Sequence, residues 1–246
     1  MSAPQPPRPD VPACDRRAAE IRAMFGLIVL RYDRMNRLMT GGRDGRWRQL
    51  AVAAAAPRGA VVLDLGTGTG DLARELRRAG AGRVVGVDFA RPMLLAARSK
   101  AGLASDRSVA WAQADALRLP FADGSFDAVT SGFLLRNLVD LPGGLAEMVR
   151  VLKPNGRLVG LDITHPPAGA KGAVLRFAFE RLLTPVAGRL SGEHAAYRYL
   201  PNSLSGFPGA PELAREMERA GAVEVSFQRL GGGIVALHRG RKPAAE

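Results

Sequence analysis

The stretch "VVLDLGTGTGDLA" (residues 61–73) sets three glycines, Gly66, Gly68 and Gly70, at alternate positions behind an apolar run that carries Asp64. The run reads as a β-strand, and Asp71 suits the start of a helix, so the glycines occupy a strand-to-helix turn. Glycine at such a turn lets a ligand come close to the backbone. The spacing is selective. A dinucleotide fingerprint needs G-x-G-x-x-G, whereas this turn is G-x-G-x-G, and the phosphate loop of nucleoside triphosphatases ends in Gly-Lys-Ser/Thr, which is absent. A pyrophosphate cradle is not indicated.

Outward from this turn, strand and helix signals alternate. β runs at residues 60–66, 83–89, 109–115, 126–133 and 156–164 are separated by the helical stretches "DLARELRRAG", "PMLLAARSKAG" and "LAEMVRVL". Lys153-Pro154-Asn155-Gly156 reads as a turn before the last of these strands. The alternation predicts parallel βαβ units and a doubly wound α/β sheet. A further helix, "PELAREMERAG", precedes two β runs at residues 222–230 and 231–240. They lie too close in sequence for a helical crossover, so they pair as an antiparallel hairpin and complete a mostly parallel seven-stranded sheet.

The chain has 246 residues, 47% of them hydrophobic, which suits one core rather than two. Residues 1–15 read as a flexible tail, and 16–246 as a single domain with an N-terminal helical lid over 16–58 and a helical insertion over 166–206. Cys14 is the only cysteine, so no internal disulfide forms, and no spacing suggests a metal site. The start lacks the apolar segment of a signal peptide, and no run is long enough to span a bilayer. A soluble, cytoplasmic protein is expected. Thirty-five Lys and Arg against 23 Asp and Glu leave a net charge of +12. That excess suits nucleic acid, an acidic substrate or a membrane surface, and it serves equally for solubility.

Ligands of open parallel sheets bind beyond the carboxyl ends of the strands. Four features fall there. The glycine turn is the first. Asp88 ends the second strand, where a carboxylate takes both hydroxyls of a ribose or caps the next helix. Asp115 ends the third strand, where its side chain and the Ala116 amide hold an adenine edge, or where it is a turn aspartate. The fourth, "TSGFLLRNL", runs off the fourth strand.

Together, in this order, the four features resemble the class I S-adenosylmethionine-dependent methyltransferases, over residues 60–164. The resemblance implies a Rossmann-like fold and S-adenosyl-L-methionine as cofactor. It places the cofactor's amino-acid end at the glycine turn, with Asp64, Gly66, Gly68, Thr69, Asp88, Asp115, Ala116 and Ser131 around it. Two absences count against a nucleic-acid substrate. The Asn/Asp-Pro-Pro-aromatic motif of amino methyltransferases is missing after the fourth strand, and no cysteine stands where cytosine-5 methyltransferases need one.

Further motifs resemble the quinone-biosynthesis C-methyltransferases, which act on demethylmenaquinol or polyprenyl methoxybenzoquinol. "YDRMNRLMTGGRDGRWR" carries Tyr32, Asp33, Met35, Asn36, Trp47 and Arg48. "FLLRN" covers residues 133–137, and "RVLKPNGRL", "YRYLPNSLSGFP" and "GIVALHRG" extend the likeness to about residue 241. Two positions depart from the pattern. Leu134 replaces a glycine and narrows the pocket, and Gly132 replaces a serine, leaving Ser131 one place earlier.

The resemblance implies a methyl transfer to a quinol ring carbon, most simply demethylmenaquinol. The ring becomes nucleophilic when a phenol of pKa near 10 loses its proton, at a cost of roughly 4 kcal/mol at neutral pH. A cation beside the phenolate lowers that cost. Arg136 is the candidate, with Asn137 as hydrogen-bonding partner, and an ion pair is its alternative role. Tyr32 sits on the lid segment. His165 follows the fifth strand as a candidate proton acceptor, or a structural histidine. The stretch 173–190, apolar with Arg176, Arg181 and Arg189, reads as a basic amphipathic helix. It suits an isoprenoid tail and peripheral contact with the inner face of the cytoplasmic membrane, or simple packing. A homodimer is the default oligomer, no specific nucleic-acid partner is expected, and no metal is required.

Overall fold

The glycine turn sits where the sequence places it, between β1 (Val61–Leu65) and α2 (Asp71–Arg78), with α1 (Asp44–Ala55) preceding both. In this computed structural model the described residues are 40–100, 106–167 and 206–245, together with Val29, Asp33, Asn36, Arg37, Gly169 and Leu204. Tyr32, the 1–15 tail, the helix expected over 173–190 and most of the 166–206 insertion lie outside them.

β2 (Arg83–Asp88), α3 (Arg91–Ser99), β3 (Val109–Gln113), β4 (Phe126–Gly132), α4 (Leu141–Val151) and β5 (Leu152–Ile163) follow in order. α5 (Ala210–Arg219), β6 (Val223–Leu230) and β7 (Val235–Arg241) close the fold. The sheet order is β3-β2-β1-β4-β5-β7-β6, seven strands among the described residues. β1 pairs in parallel with both β2 and β4, while β5–β7 and β7–β6 are antiparallel. The Rossmann-like sheet and its C-terminal hairpin are as expected.

β1 is buried from Val62 to Leu65, as a strand covered on both faces must be. On one face Trp47, Ala51 and Val52 of α1 and Leu72 and Leu76 of α2 pack over Val62, Val84 and Val159. On the other, Leu145 and Met148 of α4 and Leu213 and Met217 of α5 cover Leu63, Val129 and Leu158. Helix starts follow local chemistry. Pro92, Pro142 and Pro211 each fall in a first turn, where the missing N–H is harmless. Asp140 caps α4 by accepting the Gly143 amide at 3.0 Å.

One local expectation changes. The Lys153–Gly156 turn lies within β5, which starts at Leu152 directly after α4. Phe126 faces Leu152 and Ala128 faces Arg157, so the turn residues bulge out of the ladder, with Asn155 at φ 62°. A bulge lets the turn-forming residues leave the β4 ladder without ending the strand, while the Asn155 amide donates to the Lys242 carbonyl at 3.1 Å and the Gly156 carbonyl accepts the Lys242 amide at 2.9 Å. No helix among the described residues is long and apolar enough to cross a membrane.

Candidate active site

Strand order reverses at β1, which lies between β2 and β4, and such a switch point opens a crevice at the strands' carboxyl ends. Gly66, Gly68 and Gly70 take φ of 66°, 54° and 80° there, a region that side chains disfavour. The turn is pinned from both sides. The Thr67 amide donates to the Val87 carbonyl at 2.9 Å. The Gly68 amide donates to Asp88 Oδ2 and the Ala90 amide to Asp88 Oδ1, each at 2.8 Å. Asp88 thus ties the glycine turn to the start of α3. Burial pushes its carboxyl above the usual range, against the pull of the Ala90, Gly68 and Phe89 amides.

Beside this turn lies a cavity that opens to solvent. Its walls include Leu65, Val87, Phe89, Met93 and Leu138, and its polar groups come from Asp88, Asp115 and Asn137. An apolar slot with a few placed polar groups is the usual form of a small-ligand site. Gly66, Gly68 and Ala116 complete the predicted residues along it. Asp115 lines the cavity, and its Oδ1 accepts the Leu117 amide at 2.9 Å, the bond of a turn aspartate. Leu134 covers the turn so closely that a Cβ on Gly66 would stand 2.8 Å from the leucine Cβ.

A second, smaller chamber shares Gly66 and Phe133 with the first and is lined by Arg48, Asp64, Thr67, Thr69 and Asp71. Asp64 is 1% exposed. Its Oδ2 accepts the Thr67 hydroxyl at 2.6 Å and its Oδ1 the Thr130 hydroxyl at 3.1 Å. Burial pushes its carboxyl up to about 6, with those hydroxyls, the Arg48 charge and the Ala73 amide opposing. Thr69 donates to Asp33 Oδ1 at 2.5 Å and accepts from Lys100 at 3.0 Å. Lys100 also pairs with Asp33 at 2.8 Å and with Asp71 at 2.5 Å. Burial opposes ionisation of Asp71, but the Lys100 hydrogen bond and the charges of Arg48, Lys100 and Arg74 together hold its carboxyl below the usual range.

Three predicted residues line neither cavity. Ser131 is 1% exposed and its hydroxyl has no hydrogen-bond partner among the described residues. His165 is exposed, and its Nε2 lies 2.9 Å from the Phe207 carbonyl. Arg136 forms an ion pair with Asp162, Nη1 to Oδ1 at 2.6 Å. The pair is buried, with side chains 8% and 2% exposed. The Arg136 amide and Nη1 reach Asp162 Oδ2 and the Phe133 carbonyl at 3.3 and 2.9 Å, yet Nε is buried without a hydrogen-bond partner among the described residues. Asn137 Nδ2 donates to the same Phe133 carbonyl at 3.3 Å, so the two side chains brace the turn after β4.

Several polar groups here are not among the residues the sequence nominates for the site. Asp162 announces itself only as an acid near the end of a strand. Asp33 and Arg48 belong to the "YDRMN" and Trp-basic motifs without a stated task. Lys100, at the end of α3, carries no local signal.

The donor set suits S-adenosylmethionine. An apolar slot fits an adenine, Asp88 keeps lone pairs beyond its amide bonds for ribose hydroxyls, and Gly66, which lines both chambers, puts no side chain between them.

Comparisons with known proteins agree. The model of the ubiE/COQ5 methyltransferase family matches residues 14–242. A protein named demethylmenaquinone methyltransferase from Thermus thermophilus is 49% identical over 224 residues, covering 89% of this chain and all of its own length. Another so named, from Deinococcus radiodurans, is 44% identical over 96% of this chain and 98% of its own. One from Desulfotalea psychrophila named ubiquinone/menaquinone biosynthesis C-methyltransferase is 43% identical over 90% of both chains. Among solved structures, a SAM-dependent methyltransferase from Thermotoga maritima aligns with TM-score 0.64 at 21% identity. It covers 89% of this chain and 99% of that one, a likeness of fold.

Proposed function

The chain belongs to the ubiE/COQ5 methyltransferase family, and on that footing we propose that it methylates a ring carbon of a demethylated isoprenoid quinol, demethylmenaquinol foremost. It is an S-adenosylmethionine-dependent methyltransferase. The observation that carries the substrate reading is the likeness, along nearly the whole chain, to relatives named demethylmenaquinone methyltransferase.

When bound, S-adenosylmethionine supplies a methyl group on a sulfonium, which a ring carbon takes by in-line displacement. The protein's part is alignment, exclusion of water and charge. Asp88 and Asp115 fix the adenosine end, and the apolar walls keep water from the transfer path. Arg136 keeps its proton at any working pH, so it acts as a fixed charge rather than a base. Its ion pair with Asp162 and its bond to the Phe133 carbonyl set the guanidinium in place behind the turn after β4. Asn137 holds the adjoining turn against the cofactor cavity.

The test supplies purified protein with labelled S-adenosylmethionine and, separately, reduced demethylmenaquinone and reduced polyprenyl methoxybenzoquinone. Label in the naphthoquinol alone is the expected result, and label in both makes the protein dual in substrate. Label in neither, with S-adenosylmethionine still bound, overturns the quinol reading.

A further inference from the structure

The amino-acid end of S-adenosylmethionine is a zwitterion, and its carboxylate needs a cation in whichever chamber receives it. The main cavity offers none, since its ionisable lining residues are Asp88 and Asp115. The second chamber offers one, and Arg48 is the only cation lining either cavity among the described residues. The same chamber holds the buried Asp64, a counterpart for the ammonium.

Arg48 is placed oddly for a surface helix arginine. It follows the core residue Trp47 on α1 and is itself only 8% exposed. A buried guanidinium is costly unless paired and used. Asp44, one helical turn earlier, takes Nη1. Nη2 stands 3.7 Å from Asp71, an ion-pair contact beyond hydrogen-bond length, and Asp71 is itself bonded to Lys100. Arg48 is therefore fixed by one carboxylate while retaining donors, since a guanidinium carries five N–H groups. The first residues of α2, Asp71 and Leu72, line the same chamber, so the positive end of that helix lies beside it, and its N-cap Gly70 contributes no capping side chain.

We propose that Arg48 binds the carboxylate of the cofactor's amino-acid end, anchoring that end across the glycine turn from the adenosine. The inference rests on the cofactor reading above. It makes Arg48 a cofactor-specificity residue: it reads the part of S-adenosylmethionine that methyl transfer leaves unchanged, and it fixes the direction in which the sulfonium methyl points.

Calorimetric titration tests it with S-adenosylhomocysteine, which has the amino-acid end, and 5′-methylthioadenosine, which lacks it. Arg48→Met is expected to weaken S-adenosylhomocysteine at least about tenfold, the loss of one charge-assisted contact, while 5′-methylthioadenosine is little changed. Arg48→Lys is expected to recover part of the loss, because a point charge replaces the fork. Wild-type protein gives a reading that needs no variant, since it should prefer S-adenosylmethionine over its decarboxylated form by a similar factor. Equal loss of both ligands in the Met variant, or no wild-type preference against the decarboxylated form, overturns the proposal. Failure of the wild type to bind S-adenosylhomocysteine at all overturns the cofactor reading itself, and Arg48's role with it.

Discussion

Replacing Asp64 by asparagine is expected to stabilise the protein at neutral pH while weakening its hold on the cofactor. Asp64 is buried, and its carboxyl is pushed from an ordinary 3.8 up to about 6. At 1.36 kcal/mol per pH unit, that rise corresponds to about 3 kcal/mol. The sign follows from proton linkage. Below pH ~4 the group is protonated folded and unfolded, so it contributes no penalty. Between ~4 and ~6 the unfolded chain releases the proton and the folded chain keeps it, so stability falls as pH rises. Above ~6 the full penalty of a buried carboxylate persists. Asparagine has no such proton, but it loses part of the charge-assisted bonds from Thr67 and Thr130. The net gain at pH 7.5 is therefore about 1–3 kcal/mol, or a rise in Tm of roughly 2–12 °C for a chain of this size. Thermal and urea unfolding of both proteins, followed from pH 4 to pH 8, measures it. Carboxyls whose ionisation folding favours, such as Asp71, Asp127 and Glu147, slope the opposite way but cancel in the difference between the two proteins. A difference that does not grow between pH 4 and pH 6.5, or an asparagine variant less stable at pH 7.5, would refute the reasoning.

Asp162→Asn leaves the buried Arg136 charge uncompensated, so urea unfolding should show a loss of about 3–5 kcal/mol. The double change Arg136→Met with Asp162→Leu should cost less than either single change. Gly66→Ala brings a Cβ to 2.8 Å from Leu134 Cβ at φ 66°. It should lower Tm and weaken S-adenosylhomocysteine binding, and adding Leu134→Gly, which removes the opposing Cβ, should restore part of the binding, as calorimetry on the pair will read. If the basic stretch over 173–190 meets the bilayer, the protein should float with vesicles containing anionic phosphatidylglycerol. High salt should release it, and neutral phosphatidylcholine vesicles should leave it behind.

The residues that chain-local chemistry dictates were legible early. Alternating β runs and helical periods foretold β1 to β4 and the two antiparallel C-terminal strands, because period and spacing are properties of neighbours in sequence. Asp88 was legible as a strand-end acid that caps the next helix, a local bond to the Ala90 amide, whereas its bond to the Gly68 amide, 20 residues away, needs the pairing of β1 with β2. The start of β5 was not, since Lys153–Gly156 has turn chemistry and only pairing with β4 and β7 keeps it within the strand as a bulge. Arg136 was legible as a charge at the site but not as half of a buried pair, since Asp162 is 26 residues away in sequence and reaches it only through the pairing of β4 and β5.

The order of the elements, the glycine turn with its positive-φ demand and the acids at the strand ends are readable along the chain. Those follow from steric limits and hydrophobic period, which act over a few residues. What each charge does was set by the packed fold. It buried Asp64 until its carboxyl rose, and it paired Arg136 with Asp162. It also turned Arg48 from a helix surface toward the second chamber. Burial and ion pairing depend on groups that the chain brings together from dozens of residues apart, so they exist only once the sheet and helices have packed.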